Sequence, residues 1–394
     1  MKNEKLLLFA LALVQFTHIV DFMIIMPLGK QFMELFSISP GQFSLIVSSY
    51  AISAFVMGLL SAIYIDRVDR KVALLFIYTG FIIGTFACSM ASSYGFFLAA
   101  RCLTGAFGGI LAALIFAIIG DTIPYERRSS ATGIVMTAFS AASVAGVPAG
   151  IYLAASFGWR MTFIVVGIIA VLVLITLYYT VPSMQGHMNT DSKPAKRMEV
   201  FTNVLKDRNQ LLALLFTVIL MLGHFTIIPF IAPYMQFNIG FSDYQVTYIY
   251  AIGGTLTAVL LPVFGKIADR YGNALVFTIS SLFALFSILA ITNLPAVSLV
   301  VALCATSSFF IVASGRSVPA TTMVTSVVKP EFRGSFMSIR SSVNQLALAM
   351  ASGIAGLIII EQEGKLINYP YVGYIAVGMS LLAVVLAWRL KAVS

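Results

Sequence analysis

Twelve stretches of mostly apolar residues recur along the chain, approximately over 6–28, 44–65, 72–92, 95–119, 130–155, 161–181, 210–235, 244–265, 274–293, 297–325, 335–360 and 370–390. Each is close to the roughly 20 residues that a helix needs to cross a bilayer. No other feature limits the fold as tightly. In hydrocarbon every backbone N–H and C=O must find its partner inside the protein, and runs of this length do so as helices. The sequence is 60% hydrophobic and 10% charged, with mean hydropathy +0.98, whereas soluble domains average about 25% charged residues. The chain therefore reads as an all-α polytopic membrane protein, which argues against soluble enzymes and nucleic-acid binders. Lys2 and Lys5 before an apolar run look like a signal peptide, but the run continues to Pro27 without a small-residue cleavage site. Cys88, Cys102 and Cys304 all lie in apolar segments, where packing is expected and a disulfide framework is not.

Most connections are short, but Pro182 to Asn209 is polar and carries Lys193, Lys196, Arg197, Lys206 and Arg208. The expected organisation is a six-helix bundle over 1–181, a cytoplasmic linker over 182–209 with a helix near Arg197 to Leu205, and a second six-helix bundle over 210–394. Placing both termini in the cytoplasm puts 19 of the 24 basic residues on that side; Lys30, Arg160 and Lys365 fall outside, and Arg101 and Arg316 lie within the membrane. That asymmetry sets the orientation and accounts for the net charge of +9 without a polyanionic partner.

The halves repeat. His18 precedes Pro27 by nine positions and His224 precedes Pro233 by nine. Ser39 to Gln42 and Ser242 to Gln245 have the form of capping boxes at an offset of 203, and Asp66-Arg67 recurs at the same offset as Asp269-Arg270. Two pseudo-symmetric six-helix bundles are the build of a secondary transporter.

Within the first run, Gln15, Thr17, His18 and Asp21 share one side of a helix. A carboxylate in hydrocarbon is costly and normally serves ion or substrate handling. Arg101, also intramembrane, stays charged and needs a counter-charge, carbonyls or water. Asp21 is its candidate partner, either as a proton-sensitive pair or as a structural tie between helices. His18 can titrate near neutral pH and is a candidate relay beside Asp21; His224 holds the matching place in the second half. Neither has metal-ligand company.

At these residues the sequence resembles the major facilitator superfamily over nearly its whole length. The family's loop signature, Gly-x-x-x-Asp-Arg-x-Gly with two basic residues, is matched by Asp66, Arg67, Arg70 and Lys71, with Ala62 and Asp69 in place of glycines; the second copy keeps Gly265, Asp269, Arg270 and Gly272. Asp69 is expected to tolerate a left-handed turn. The resemblance implies a conformational latch built on Asp66, Arg67, Arg70, Arg128, Asp269 and Arg270; read without it, these charges mark a positive loop. Arg101 to Gly105 looks like the family's Arg-x-x-x-Gly proton-transfer signature. Gly146-Val147-Pro148-Ala149-Gly150 resembles its antiporter signature with Val147 inserted, and Gly158-Trp159-Arg160 follows. Gly105, Gly146 and Gly150 are expected to let helices approach closely, and Pro148 to bend one.

The resemblance thus implies proton-coupled efflux of a small drug-like or metabolite solute from the cell by alternating access. The carrier would be a multi-pass protein of the inner (plasma) membrane, acting as a monomer without cofactor, metal or nucleic acid. Proton coupling is expected at Asp21, Arg101 and His18, and substrate contact at His224, Arg316, Asn344 and Tyr50. Arg316 has no recognisable acidic partner in its own half, so transport of an organic or amphipathic anion is the alternative. A membrane-embedded enzyme is disfavoured, because neither an HExxH motif nor a paired metal cluster is present.

Overall fold

The computed structural model describes residues 4–64, 68–184, 206–328 and 333–393. Among them, twelve helical spans are long and apolar enough to cross a membrane. The expected linker helix near Arg197 to Leu205 lies outside the described residues, as do Asp66 and Arg67.

The chain divides into two compact units, Met1–Ile25 with Ser49–Pro194, and Met26–Ser48 with Ala195–Ser394. Residues 26–48 thus group with the second half of the sequence, an assignment that the position of the polar linker does not indicate.

In the first unit, α1 (Glu4–Met23) packs against α6 (Tyr125–Ala141) and α8 (Trp159–Thr180), while α4 (Arg70–Ser89) packs against α5 (Tyr94–Thr122) and α8. Leu11, Val14, Leu74, Phe81, Leu111, Ile115 and Leu177 form much of its core. A π turn at Ala142–Gly146 leads from α6 into α7 (Val147–Phe157), with Pro148 at the start of α7, where its missing N–H costs little. Gly158 at φ +87° turns the chain from α7 into α8, a conformation that costs any other residue more.

The second unit takes in α2 (Gly29–Phe36) and the start of α3 (Pro40–Tyr64), then α9 (Arg208–Phe225), α10 (Ile228–Tyr234), α11 (Asp243–Tyr271), α12 (Asn273–Thr292), α13 (Leu299–Ser326), α14 (Arg333–Ile358) and α15 (Tyr369–Ala387). Helix α12 packs on α13 and α15, α9 on α14 and α15, and α11 on α13. An antiparallel hairpin, β1 (Ile360–Gln362) and β2 (Lys365–Ile367), joins α14 to α15. Asn238 holds it at Leu366 through two backbone hydrogen bonds of 2.9 and 3.0 Å. Both capping boxes close: Ser39 and Gln42 at 3.0 and 3.2 Å, Ser242 and Gln245 at 2.9 and 3.4 Å.

Two expectations need correction. The first span is not one helix over 6–28; it stops at Met23, runs through a turn containing Pro27 and restarts at Gly29. Nor is Asp69 left-handed. Its φ is −51°, and it caps α4 by accepting from the Lys71 N–H at 2.7 Å and the Val72 N–H at 3.4 Å. The repeat-related Gly272 has φ +91°. The first copy therefore replaces a permissive glycine with an acceptor for orphan helix N–H groups.

Candidate functional site

Asp21 sits in the last turn of α1, where the helix ends two residues later. A carboxylate there faces unsatisfied carbonyls and the negative end of the helix dipole, so it needs external donors. Two neighbouring helices supply them. Thr85 of α4 donates to Oδ1 at 3.2 Å, and Arg101 of α5 donates through Nη1 to Oδ2 at 2.8 Å and makes a longer 3.4 Å contact with the Asp21 carbonyl. The side chains of the pair are 1% and 0% exposed for Arg101 and Asp21 respectively. Solvent screening is absent at such burial, so each charge depends on the other.

Tyr50 completes the enclosure, its ring centroid 4.6 Å from the Arg101 guanidinium carbon. The glycines of α5 make room for it. A Cβ on Gly105 would meet the Tyr50 backbone carbonyl, and one on Gly108 would meet the Tyr50 hydroxyl and the His18 ring. His18, one turn before Asp21, is buried between Tyr50 and Phe81, with ring centroids 6.3 and 6.0 Å away. Neither of its ring nitrogens hydrogen-bonds a protein group; the same holds for the Tyr50 hydroxyl, Gln15 Oε1 and Arg101 Nε. The ion pair thus has His18, Tyr50 and its own Arg101 Nε beside it with hydrogen-bonding capacity to spare. Gly146 faces Val20 of α1, Gly150 faces Ile24 just past the end of α1 and Thr162 of α8, and the Gly150 carbonyl accepts from Thr162 at 2.7 Å.

In the second unit, His224 occupies the last turn of α9 and stacks on Phe309 of α13, with centroids 5.2 Å apart and planes 11° from parallel. Phe309 abuts Phe310, which in turn meets Tyr250 at 6.1 Å. Arg316 is 3% exposed and donates through Nη2 to Ser380 of α15 at 3.2 Å. Half-buried Asn344 is not bonded to Arg340, which turns instead to Thr321 at 3.3 Å. Tyr50, expected among substrate contacts, lies in the first unit against Arg101.

At the helix ends, Arg70 pairs with Asp121 at 2.9 Å, and Arg128 Nε donates to the Ile123 carbonyl at 2.9 Å. Asp69 also accepts from the Ser183 hydroxyl and, at 3.1 Å, from the Met184 N–H, so it ties the end of the first unit's helical region to the start of α4. Burial raises the affinity of its carboxyl for a proton, but the bonds from Ser183, Lys71, Met184 and Val72 outweigh burial and hold it below the ordinary carboxylate range. Asp269 and Arg270 are exposed at the end of α11, Arg270 lying over Tyr271 at 5.3 Å. Thr85, Asp121, Ser183, Phe309 and Ser380 were not singled out from the sequence. A hydroxyl or phenyl group inside an apolar run carries no signal until its neighbour is known.

Comparison with known proteins agrees with the helical layout. The family profile described as Major Facilitator Superfamily matches residues 11–318. Relatives include the uncharacterized MFS-type transporter YwfA of Bacillus subtilis, 26% identical over 98% of this chain and 92% of its own length, and the inner membrane transport protein YdhP of Escherichia coli K12, 26% identical over 88% and 86%. Among solved structures, a bacterial homologue of the human lysosomal transporter Spinster superposes with TM-score 0.78 at 17% identity, covering 99% of this chain and 95% of that one. A D-xylose–proton symporter does so with TM-score 0.78 at 17% identity over 97% of each. With twelve apolar spans, a duplicated Asp-Arg loop and a profile match across most of its length, this chain belongs to the major facilitator superfamily and is a secondary transporter of small molecules.

Proposed function

We propose that the chain exports a small drug-like or metabolite solute in exchange for protons, acting as a monomer of the inner (plasma) membrane with both termini in the cytoplasm. The observation that carries this reading is the fully enclosed Asp21–Arg101 pair. An arginine cannot lose its charge in a protein, so Asp21 is the member that changes state. Protonating it cancels the counter-charge of Arg101 and leaves the Asp21 carbonyl and the Tyr50 ring against the guanidinium. Arg101 then gains by moving to other acceptors, and the two protonation states favour different conformations. His18, with both ring nitrogens free of protein partners, is placed one turn away to pass or store the proton.

The charged loops Asp66-Arg67, Arg70, Arg128 and Asp269-Arg270 act in this reading as latches on the cytoplasmic face, and His224, Arg316, Asn344 and Tyr50 contribute to solute contact. A proteoliposome assay tests the coupling: an imposed pH gradient should drive accumulation by the wild type but not by Asp21→Asn, which should keep gradient-free counterflow of labelled solute. Undiminished gradient-driven transport by Asp21→Asn would falsify it.

A further inference from the structure

The two buried arginines that lie well inside membrane spans differ in one respect. Arg101 is neutralised by Asp21, whereas Arg316 takes part in none of the ion pairs among the described residues. Its surroundings explain why. The described acids of the second unit, Glu34, Asp207, Asp243, Asp269, Glu361 and Glu363, all lie near helix ends or in the β hairpin. Arg316 sits well inside α13, where its protein acceptor is the Ser380 hydroxyl and its Nε makes no hydrogen bond. One neutral hydroxyl serves one of five guanidinium donors and offers no charge. Such a site costs stability unless something anionic occupies it during the protein's work.

The aromatic wall lies on the same helix. Phe309 precedes Arg316 by seven residues, two turns and about 10 Å along one face. Long side chains on a helix lean toward its N-terminus, so the Arg316 side chain reaches back toward Phe309 and the His224 ring stacked on it. Gly223, adjacent to His224, abuts Ser380, the hydroxyl that holds Arg316. A buried guanidinium whose Nε lacks a partner and a buried aromatic stack therefore lie within two turns of each other on α13.

We propose that Arg316 receives the oxyanion of a flat aromatic organic acid, a carboxylate or sulfonate, whose ring lies along the His224–Phe309 stack. This names a substrate class for the carrier and rests on the transporter reading above. The free Nε edge takes a planar carboxylate side-on, a geometry that a lysine ammonium would not reproduce. The same positive charge disfavours cationic solutes.

Equilibrium binding to the purified full chain in nanodiscs tests the proposal, with naphthoate, naphthalene sulfonate, naphthamide, naphthylmethylamine and cyclohexane carboxylate as probes. Naphthoate and the sulfonate should bind at least about tenfold more tightly than the amide. The amine and the non-aromatic acid should bind weakly. Arg316→Gln should erase the preference for anion over amide, and Arg316→Lys should keep only part of it. Unliganded Arg316→Gln should melt no lower than the wild type, since it removes an unpaired charge; a clearly lower midpoint would assign Arg316 to structure and overturn the proposal. So would equal affinity of wild type for naphthoate and naphthamide, a preference surviving in Arg316→Gln, or binding of none of the acids. The wild-type comparison needs no variant to fold. Asp21→Asn should retain the anion preference, so loss of proton coupling and loss of anion recognition are read separately.

Discussion

At the scale of single residues, burial makes the sign of a substitution depend on what is left behind. Arg101→Met strips Asp21 of its counter-charge in a site with no exposed surface. It is expected to destabilise the protein by about 3–5 kcal/mol, the usual consequence of leaving one member of a buried pair. Pairing it with Asp21→Leu should recover much of that loss, and thermal melts of the two variants provide the comparison. Asp69 yields a pH dependence. Its folded proton affinity is lowered, so its contribution is complete above the ordinary carboxylate value of about 4 and disappears as pH falls through its lower folded value. The wild type should melt above Asp69→Asn at neutral pH, and the gap should close in acid. A gap constant down to about pH 3 would show that the capping charge contributes nothing.

At the scale of elements, both first helices of the repeat break in corresponding places, α1 after Met23 and α9 after Phe225, each shortly after its histidine. The breaks free backbone carbonyls within a span, which is tolerated only where protein surrounds them. Ile227 shows how: its carbonyl accepts from the Tyr369 hydroxyl at 3.0 Å. The glycines of α5 set how closely it approaches α3. Gly105→Ala would drive a methyl group into the Tyr50 backbone, which cannot step aside as a flexible side chain would. It is expected to cost about 1–3 kcal/mol as overpacking. Gly95→Ala on the same helix meets nothing within 4 Å. That control should be neutral or stabilising by up to about 1 kcal/mol through helix propensity. The hairpin offers a separate check: Asn238→Ala removes both bonds to Leu366, so its amide should exchange faster while the α14 and α15 amides stay protected.

At the scale of the molecule, residues 26–48 connect the first two spans yet pack within the second unit. A polar clasp holds them there. Both Asp243 carboxylate oxygens accept amide protons, one from Gln31 at 2.7 Å and one from Gln236 at 2.6 Å. Further along the same segment, Ser48 donates to the Ala349 carbonyl at 3.0 Å and Ser352 to that of Ser44 at 3.3 Å. If transport requires this segment to leave its place, a Gln31→Cys/Asp243→Cys double variant should form a crosslink that stops solute flux until a reductant is added. Flux that persists through complete crosslinking would show that the clasp stays closed throughout transport.

The number and type of elements were legible in the sequence because hydrocarbon leaves a long apolar run one way to satisfy its backbone, and a count of residues against bilayer thickness suffices. The repeat was legible for a similar reason: serine–glutamine caps and Asp-Arg loops act locally and keep their offset. The Asp21–Arg101 pair was legible too, because each intramembrane charge needs an opposite one, but the rest of the enclosure was not. Thr85 and Tyr50 come from two further helices, and which side chains meet depends on how each helix is rotated and where α1 stops. The same applies to Asp69, whose neighbour Ser183 is 114 positions away, and to residues 26–48, which leave the unit their place in the sequence indicates. The length of its apolar runs determined that this chain would be a bundle of membrane-spanning helices and which intramembrane arginine had a carboxylate to meet; tertiary packing decided that Thr85 and Tyr50 close around that pair and that the Ser380 hydroxyl is what Arg316 finds.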